Sequence, residues 1–399
     1  MTTGGRRWRF LGSTRQRVAH YDARMPLNVG VVGYNGIGKR HAGCHHDDEL
    51  ATLVAVCDMV SERAEPAREQ YGASIHGSVA DMLAAHPELD IVDVCTGGDE
   101  NGGWHFEPVM QALDAGKHVL VEKPLSNDLN EARQMVAFAA QRGLYLGCNL
   151  NHYFSEPADR AMEMIRDGKI GEQLYCLMRM GFQGGEYTYS GPDNSPNGRG
   201  FPYFHVKAFL SHPLAIMRHF CGDITHVQAF MNRPAFRRAA NDTMVSVNSI
   251  HVRFASDAVG YLFSQRGDAR MGYGGWWSFE LGGTRGSFAI ENCVEKLIHF
   301  PSPGAEGAAD PASISLGSAP EPTVLNTGVT DFGATFPRRI HAFLEDVTGG
   351  VPASQLRASG RDALATLEYT FAAIESFETG GELVRPETLP AASRDPRKQ

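Results

Sequence analysis

The chain of 399 residues lacks the marks of several large protein classes. Its seven cysteines, Cys44, Cys57, Cys95, Cys148, Cys176, Cys221 and Cys293, are scattered and form no C-x-x-C pair. That usage excludes a disulfide framework and fits a reducing compartment. No apolar run approaches the ~18 residues of a membrane-spanning helix, and the N-terminal arginines have no apolar core of the kind a secretory leader carries. Excess positive charge is missing too. A formal net charge of -9 gives no electrostatic reason to bind nucleic acid or an anionic membrane. There is no internal repeat and no G-x-S-x-G hydrolase elbow. The expectation is a soluble cytoplasmic protein with a small-molecule substrate, no nucleic-acid partner and no membrane partner.

What is present is ordinary globular composition, with 42% hydrophobic and 21% charged residues. At roughly 150 residues per domain, the length predicts two domains. Residues 1–24 hold six arginines without any period and read as a flexible N-terminal arm; Met25, where the pattern starts, is a second candidate initiator. Over residues 25–150, short apolar runs at 29–32, 53–57, 91–95, 119–121 and 144–147 alternate with helical spacing at 39–46, 61–71, 79–86, 106–115 and 130–141. Strands buried on both faces and joined by helices predict an α/β unit, a doubly wound parallel Rossmann sheet. From 151 to 385 the rhythm changes. Helices are expected at 156–167 and 211–220, and strands at 174–180, 227–231, 243–254, 259–264, 276–281 and 286–290. Alternation such as Ile250, Val252, Phe254 against His251, Arg253 predicts an α+β domain with a large, predominantly antiparallel open sheet. Residues 301–335 read as a surface loop, 336–346 and 360–377 as helices, and 386–399 as a frayed tail.

The first strand runs into Gly33-Tyr34-Asn35-Gly36-Ile37-Gly38 and then a helix. Strand, glycine turn and helix in that order let the backbone approach a pyrophosphate placed on the helix's positive end. Asn35 replaces the usual middle glycine and is expected to tolerate the positive φ of the turn. The second strand ends in Asp58, near the spacing of about 20 residues at which a carboxylate takes the ribose hydroxyls of NAD and repels the extra phosphate of NADP. The cofactor predicted is NAD. His41, Cys44, His45 and His46 look like metal ligands, but their place on the first helix, without an acid or second cysteine at ligand spacing, reads against a metal site.

The run Gly116-Lys117-His118-Val119-Leu120-Val121-Glu122-Lys123-Pro124 resembles the hallmark strand of the glucose-fructose oxidoreductase, inositol dehydrogenase and rhizopine catabolism family. The resemblance extends from Leu27 to about Gly171 and takes in the glycine turn, Asp58 and Asp167-Gly168-Lys169-Ile170-Gly171-Glu172. It implies that Lys123 lies beside the nicotinamide and contacts the reacting hydroxyl. It also implies cofactor contacts from Thr96, His105, Glu122 and Lys123, and dimers or tetramers. Two departures stand out. Gly97-Gly98-Asp99-Glu100-Asn101-Gly102-Gly103-Trp104 is longer than the family's loop and lacks its proline. Counting back from Gly222 puts His212 at the family's helical histidine, with Ala208 and Ala215 where the family has aspartates. The segment from Met271 to Thr284 resembles the branch that oxidises the 3-hydroxyl of glucosides.

Oxidising a secondary alcohol needs a base for the hydroxyl proton, a cation for the developing alkoxide and exclusion of water. Lys123 suits the cation and His212 the base, with His205, Lys207, Tyr273 and Trp276 as candidate substrate contacts; Trp276 and Trp277 are adjacent on a strand, so at most one should face the site. Three readings stand: an NAD-dependent dehydrogenase of a glycoside, sugar or cyclic polyol, an NAD-dependent glycosidase working by transient oxidation and elimination, and a non-catalytic dinucleotide-binding regulator.

Overall fold

The computed structural model describes residues 26–181, 201–239, 242–267, 269, 276–302 and 320–388. The first half builds β1 (Leu27–Val32), α1 (Gly36–Asp47), β2 (Ala51–Cys57), α2 (Ser61–Tyr71), β3 (Ser74–His76), α3 (Val79–Ala85), β4 (Ile91–Val94), α4 (Phe106–Asp114), β5 (His118–Val121), α5 (Leu129–Arg142) and β6 (Leu146–Cys148). Its sheet is parallel in the order β3-β2-β1-β4-β5-β6. β4 and β5 are buried at every position, which is why their sequences are mostly apolar rather than alternating; the polar exceptions, Asp93 and His118, are buried with them. The order reverses between β1 and β4, and ligands of such sheets bind beyond the carboxyl ends of the strands at that switch.

The second half contributes α6 (Glu156–Arg166), β7 (Gln173–Gly181), α7 (Phe204–Phe209), α8 (Ser211–Cys221), β8 (Ile224–Asn232), α9 (Ala235–Ala239), β9 (Val247–Phe254), β10 (Val259–Gln265), β11 (Trp277–Gly283), β12 (Gly286–Glu291), β13 (Lys296–Pro301), β14 (Thr323–Asn326), α10 (Thr335–Thr348) and α11 (Gly360–Glu378). Eight strands form one sheet, β14-β13-β12-β11-β7-β10-β9-β8, antiparallel except for β7 beside β10. Its inner face packs on α8 and α11, and burial alternates along β9 as the sequence alternation requires.

α10 and α11 return to the first sheet. α10 buries Ile340, Phe343, Leu344 and Val347 against Leu27, Val29, Ile91 and Leu120, so a late helix completes an early core. α11 starts with a capping box between Ser359 and Asp362 and touches α5, α8 and β8, joining both sheets. β14 lies inside the stretch expected to be loop. It is an exposed edge strand whose single partner is β13, so pairing rather than an apolar pattern makes it a strand. Residues Pro386–Thr388, expected to fray, form a 3-10 turn with Pro386 buried. The N-terminal arm and the rest of the tail lie outside the described residues.

Candidate active site

The chain leaves β1 through Gly33, whose φ of +88° belongs to glycine and where a Cβ would come within 3.0 Å of the Cys95 carbonyl and the Thr96 nitrogen. At Gly38 a Cβ would overlap the Gly33 carbonyl oxygen, so its hydrogen is what lets α1 sit against the strand. Asn35 departs from expectation. Its backbone is extended, with φ at -106°, and its Oδ1 accepts the Gly36 N–H at 2.9 Å as the cap of α1. Asparagine stands there for capping, not for a left-handed turn. The first turn of α1 carries no acid, and space beyond Gly36 is open, leaving the positive end of the helix free for an anion. Ile37 is largely exposed beside it.

Asp58 closes β2. Its two oxygens accept the N–H groups of Tyr34 at 2.8 Å and Val60 at 2.9 Å, which fixes the carboxylate at the rim. A cleft of about 740 Å³ runs past Gly33, Asn35, Asp58, Thr96 and Trp104. A glycine cradle that a methyl group would fill, a bare helix N-terminus and a rim carboxylate together fit a dinucleotide, with pyrophosphate at the turn and ribose at Asp58.

Glu122, expected at the cofactor, turns the other way. Its carboxylate accepts from His41 Nε2 at 3.0 Å, from the Lys123 N–H at 3.1 Å and from Asn149 Nδ2. His41 Nδ1 and His45 Nε2 both meet Asp93 Oδ2, at 2.8 and 2.7 Å, in the fully buried interior. Burial opposes a charge on His41, but the Asp93 carboxylate outweighs it and holds the pKa well above its usual value. Burial likewise raises Asp93 and Glu122, and His41 overrides it, so both carboxyls lie below their usual range. Charges therefore alternate from Asp93 through His41 and Glu122 to Lys123, anchoring the peptide from which the lysine emerges. Cys95 joins this group, its Sγ within 4.8 Å of a His41 ring nitrogen and an Asp93 carboxylate oxygen, whereas His46 packs on Tyr71. His105 is also fully buried and braces two loops, Nδ1 at 2.8 Å from the Pro124 carbonyl and Nε2 at 2.6 Å from that of Thr96. Its expected cofactor contact gives way to that bracing, because both nitrogens are already engaged.

Lys123 is half-buried after β5. Its Nζ donates to the Ala208 carbonyl at 3.1 Å and lies 5.0 Å from the Phe209 ring centre. Burial lowers its pKa; Glu122 and Cys148 raise it and Arg266 lowers it further. Ala208 is one helical turn ahead of His212, so this bond brings amine and imidazole to one place. Burial pushes His212 well below its usual pKa, and the nearby His152 and Lys123 add to the shift. The ring is thus neutral near pH 7 and able to accept a proton.

His152 was not singled out from the sequence. It lies in a 3-10 turn, Asn151–Tyr153, and stacks flat on His212 with ring centres 3.5 Å apart. The available signal was topological. The turn follows β6, the neighbour of β5, so it emerges at the sheet edge that carries Lys123.

The remaining candidates divide. Trp276 is half-buried, 6.2 Å from His152 and stacked on Phe332 at 5.7 Å, while Trp277 is fully buried. Lys207, expected at the substrate, is instead buried in an ion pair with Glu100 at 2.8 Å, both side chains 3% exposed. His205 is buried against Ser264 at 3.2 Å, in the interior of the second sheet. Tyr273 lies outside the described residues.

A cleft lined by the glycine turn and Asp58, together with a neutral imidazole and an amine held near one another, is the equipment of an NAD-dependent oxidoreductase. The chain belongs to the GFO/IDH/MocA family: residues 27–150 match the family described as an oxidoreductase family with an NAD-binding Rossmann fold, and residues 159–289 match the GFO/IDH/MocA C-terminal domain. It is 33% identical over 149 residues to the D-glucoside 3-dehydrogenase of Escherichia coli (strain K12), a match spanning 37% of this chain and 41% of that protein. It is 27% identical over 360 residues to the D-apiose dehydrogenase of Paraburkholderia graminis, covering 88% of this chain and 87% of the relative. A levoglucosan dehydrogenase solved with NADH and levoglucosan superposes with a TM-score of 0.73 at 20% identity, over 90% of this chain and 99% of that one. Among the described residues, no helix is long and apolar enough to cross a membrane.

Proposed function

We propose that this protein oxidises a secondary hydroxyl, at C3 of a glycoside or on a related sugar or cyclic polyol. One observation carries the reading: the Lys123 amine bonds the carbonyl one turn before His212, so a cation and a neutral base flank the same spot. His212 takes the hydroxyl proton while Lys123 holds the oxygen that becomes negative. NAD, when bound along the cleft from Gly33 to Asp58, supplies the hydride acceptor. Trp276 offers an apolar ring to the sugar face, and residues 25–150 and 151–385 serve as cofactor and substrate units. Relatives named as glucoside 3-dehydrogenase and inositol 2-dehydrogenase support the substrate class.

We also propose a homo-oligomer built on the outer face of the eight-stranded sheet, working in the reducing cytoplasm that its free cysteines suit. Tyr175, Leu177 and Val259 are exposed there side by side on the neighbouring strands β7 and β10, and contiguous exposed apolar groups mark interaction surfaces.

The test is a panel of glucosides, inositols and anhydrosugars assayed for NAD reduction, with the product identified. A stable ketone with net NADH supports the dehydrogenase, whereas free aglycone without net NADH would select the glycosidase. Lys123→Ala is expected to lose about 10²-fold or more in kcat while binding NADH normally. Full turnover by that variant would remove Lys123 from the chemistry.

A further inference from the structure

The proposed reaction leaves unused one buried titratable ring, and it lies against the base. His152 is 2% exposed, and its plane departs from that of His212 by only 2°. Neither Nδ1 has a hydrogen-bond partner among the described residues, so no carbonyl or carboxylate fixes the proton of either ring there. The surroundings are sparse in charge. Lys123 approaches from the end of β5, the Cys293 thiol donates to the His152 carbonyl oxygen, and Trp276, Trp277 and Phe332 supply uncharged rings. Burial and neighbouring positive charge are what act on the pair, and no described carboxylate does. The helical positions from which an acid could have reached His212 hold Ala208 and Ala215, both buried.

Two imidazoles stacked at this distance cannot both be protonated, because like charges so close and so dry repel strongly. One can be. A cation lying flat on a neutral aromatic face is attracted by the ring's negative π surface, most of all where water is excluded.

We infer that His152 is a positioning residue for His212, a neutral ring on which the His212 imidazolium rests, doing the work of the carboxylate that α8 lacks. The inference rests on the reading of His212 as the base. Its chemistry is confined to the proton: the substrate O–H bond breaks, the electron pair stays on oxygen, and a His212 ring nitrogen takes the proton and later releases it to solvent. His152 gains and loses nothing.

Two variants separate the face from the nitrogens. His152→Phe keeps a flat ring without a titratable group, and His152→Leu keeps bulk without a face. With substrate and NAD saturating, the Phe variant should retain kcat within about threefold. The Leu variant should lose about 10- to 100-fold in kcat, with the substrate KM unchanged. A Leu variant as fast as the parent, or a Phe variant as slow as the Leu variant, overturns the inference. Nitrogen NMR of the histidine rings in the intact protein needs no turnover: His212 should titrate at a lower pH in the Leu variant than in the Phe variant. Equal or reversed titration also overturns it. If the parent protein reduces NAD with no sugar or polyol, the functional reading fails, while the titration still decides the role of His152.

Discussion

An aspartate at position 35 would cap α1 as well as the asparagine does, since both accept the N–H groups of a first helical turn. What it would add is a negative charge at the bare end of α1, on the cleft wall where the pyrophosphate is expected. Asn35→Asp should therefore leave the melting temperature within a degree or two while weakening NADH binding by about tenfold or more, through like-charge repulsion in a partly dry site. Fluorescence titration with NADH measures it, and unchanged affinity would place the pyrophosphate elsewhere. The contrast between Glu122 and Lys123 belongs to the same scale. Successive residues of extended chain point to opposite sides, so a motif that turns Lys123 toward the Ala208 carbonyl sends Glu122 to the buried histidines. A sequence motif names positions without stating which way each faces, and that is how Glu122 and His105 came to be expected at the cofactor.

At the scale of elements, the extra length between Thr96 and His105 becomes intelligible through its ion pair. Glu100 sits in the left-handed region, with φ at 51°, and reaches Lys207 on α7 at 2.8 Å, tying the cofactor-cleft loop to the second half of the chain. Lys207→Met strands a buried carboxylate and should cost about 3–5 kcal/mol in urea unfolding. Adding Glu100→Gln should recover much of that loss, since the uncompensated charge disappears. Additive losses would show that the two side chains do not act as a pair. The sequence could not reveal this tie. It did reveal most of the first sheet, whose doubly buried strands are mostly apolar runs, and most of the second, whose wet face imposes alternation. It missed α7, α9, β3, β13 and β14, which are short or poorly buried and depend on their neighbours for stability. Lys123 and His212 were legible because each sits in a local pattern, whereas the His152–His212 contact joins a 3-10 turn to a distant helix, which only the fold brings together.

For the whole molecule, two surfaces of response follow from what is buried and what is not. On the outer sheet face Leu177 lies opposite Tyr261, and Val259 opposite Tyr175, so apolar groups form rows across strands. A stable dimer buries about 1,600 Å² in all, and a second copy on this face is expected by sedimentation. Leu177→Glu should shift the protein toward monomer with NADH binding intact, and a parent that sediments as a monomer would dismiss the interface. The interior responds to acid. Burial lowers the pKa of His118 to about 4, His152 to about 3 and His219 to about 4, and lowers those of His105, His205 and His212 as well. Folded, these rings stay neutral, whereas the unfolded chain takes up protons below about pH 6.5. Their contribution to stability is complete above that pH and lost as pH falls toward the folded values, at about 1.4 kcal/mol per ring per pH unit. Asp93 and Glu122, whose pKa values are depressed, keep their contribution until the pH drops below about 4. His41 has the opposite sign: its raised pKa stabilises fully at acid pH and is lost only as pH climbs through the folded value. Between pH 7 and 5 the lowered histidines therefore dominate. The urea midpoint should fall steeply over that interval, before any carboxylate of the buried network is protonated. A midpoint that stays flat from pH 7 to 5 would mean those rings reach water in the folded state.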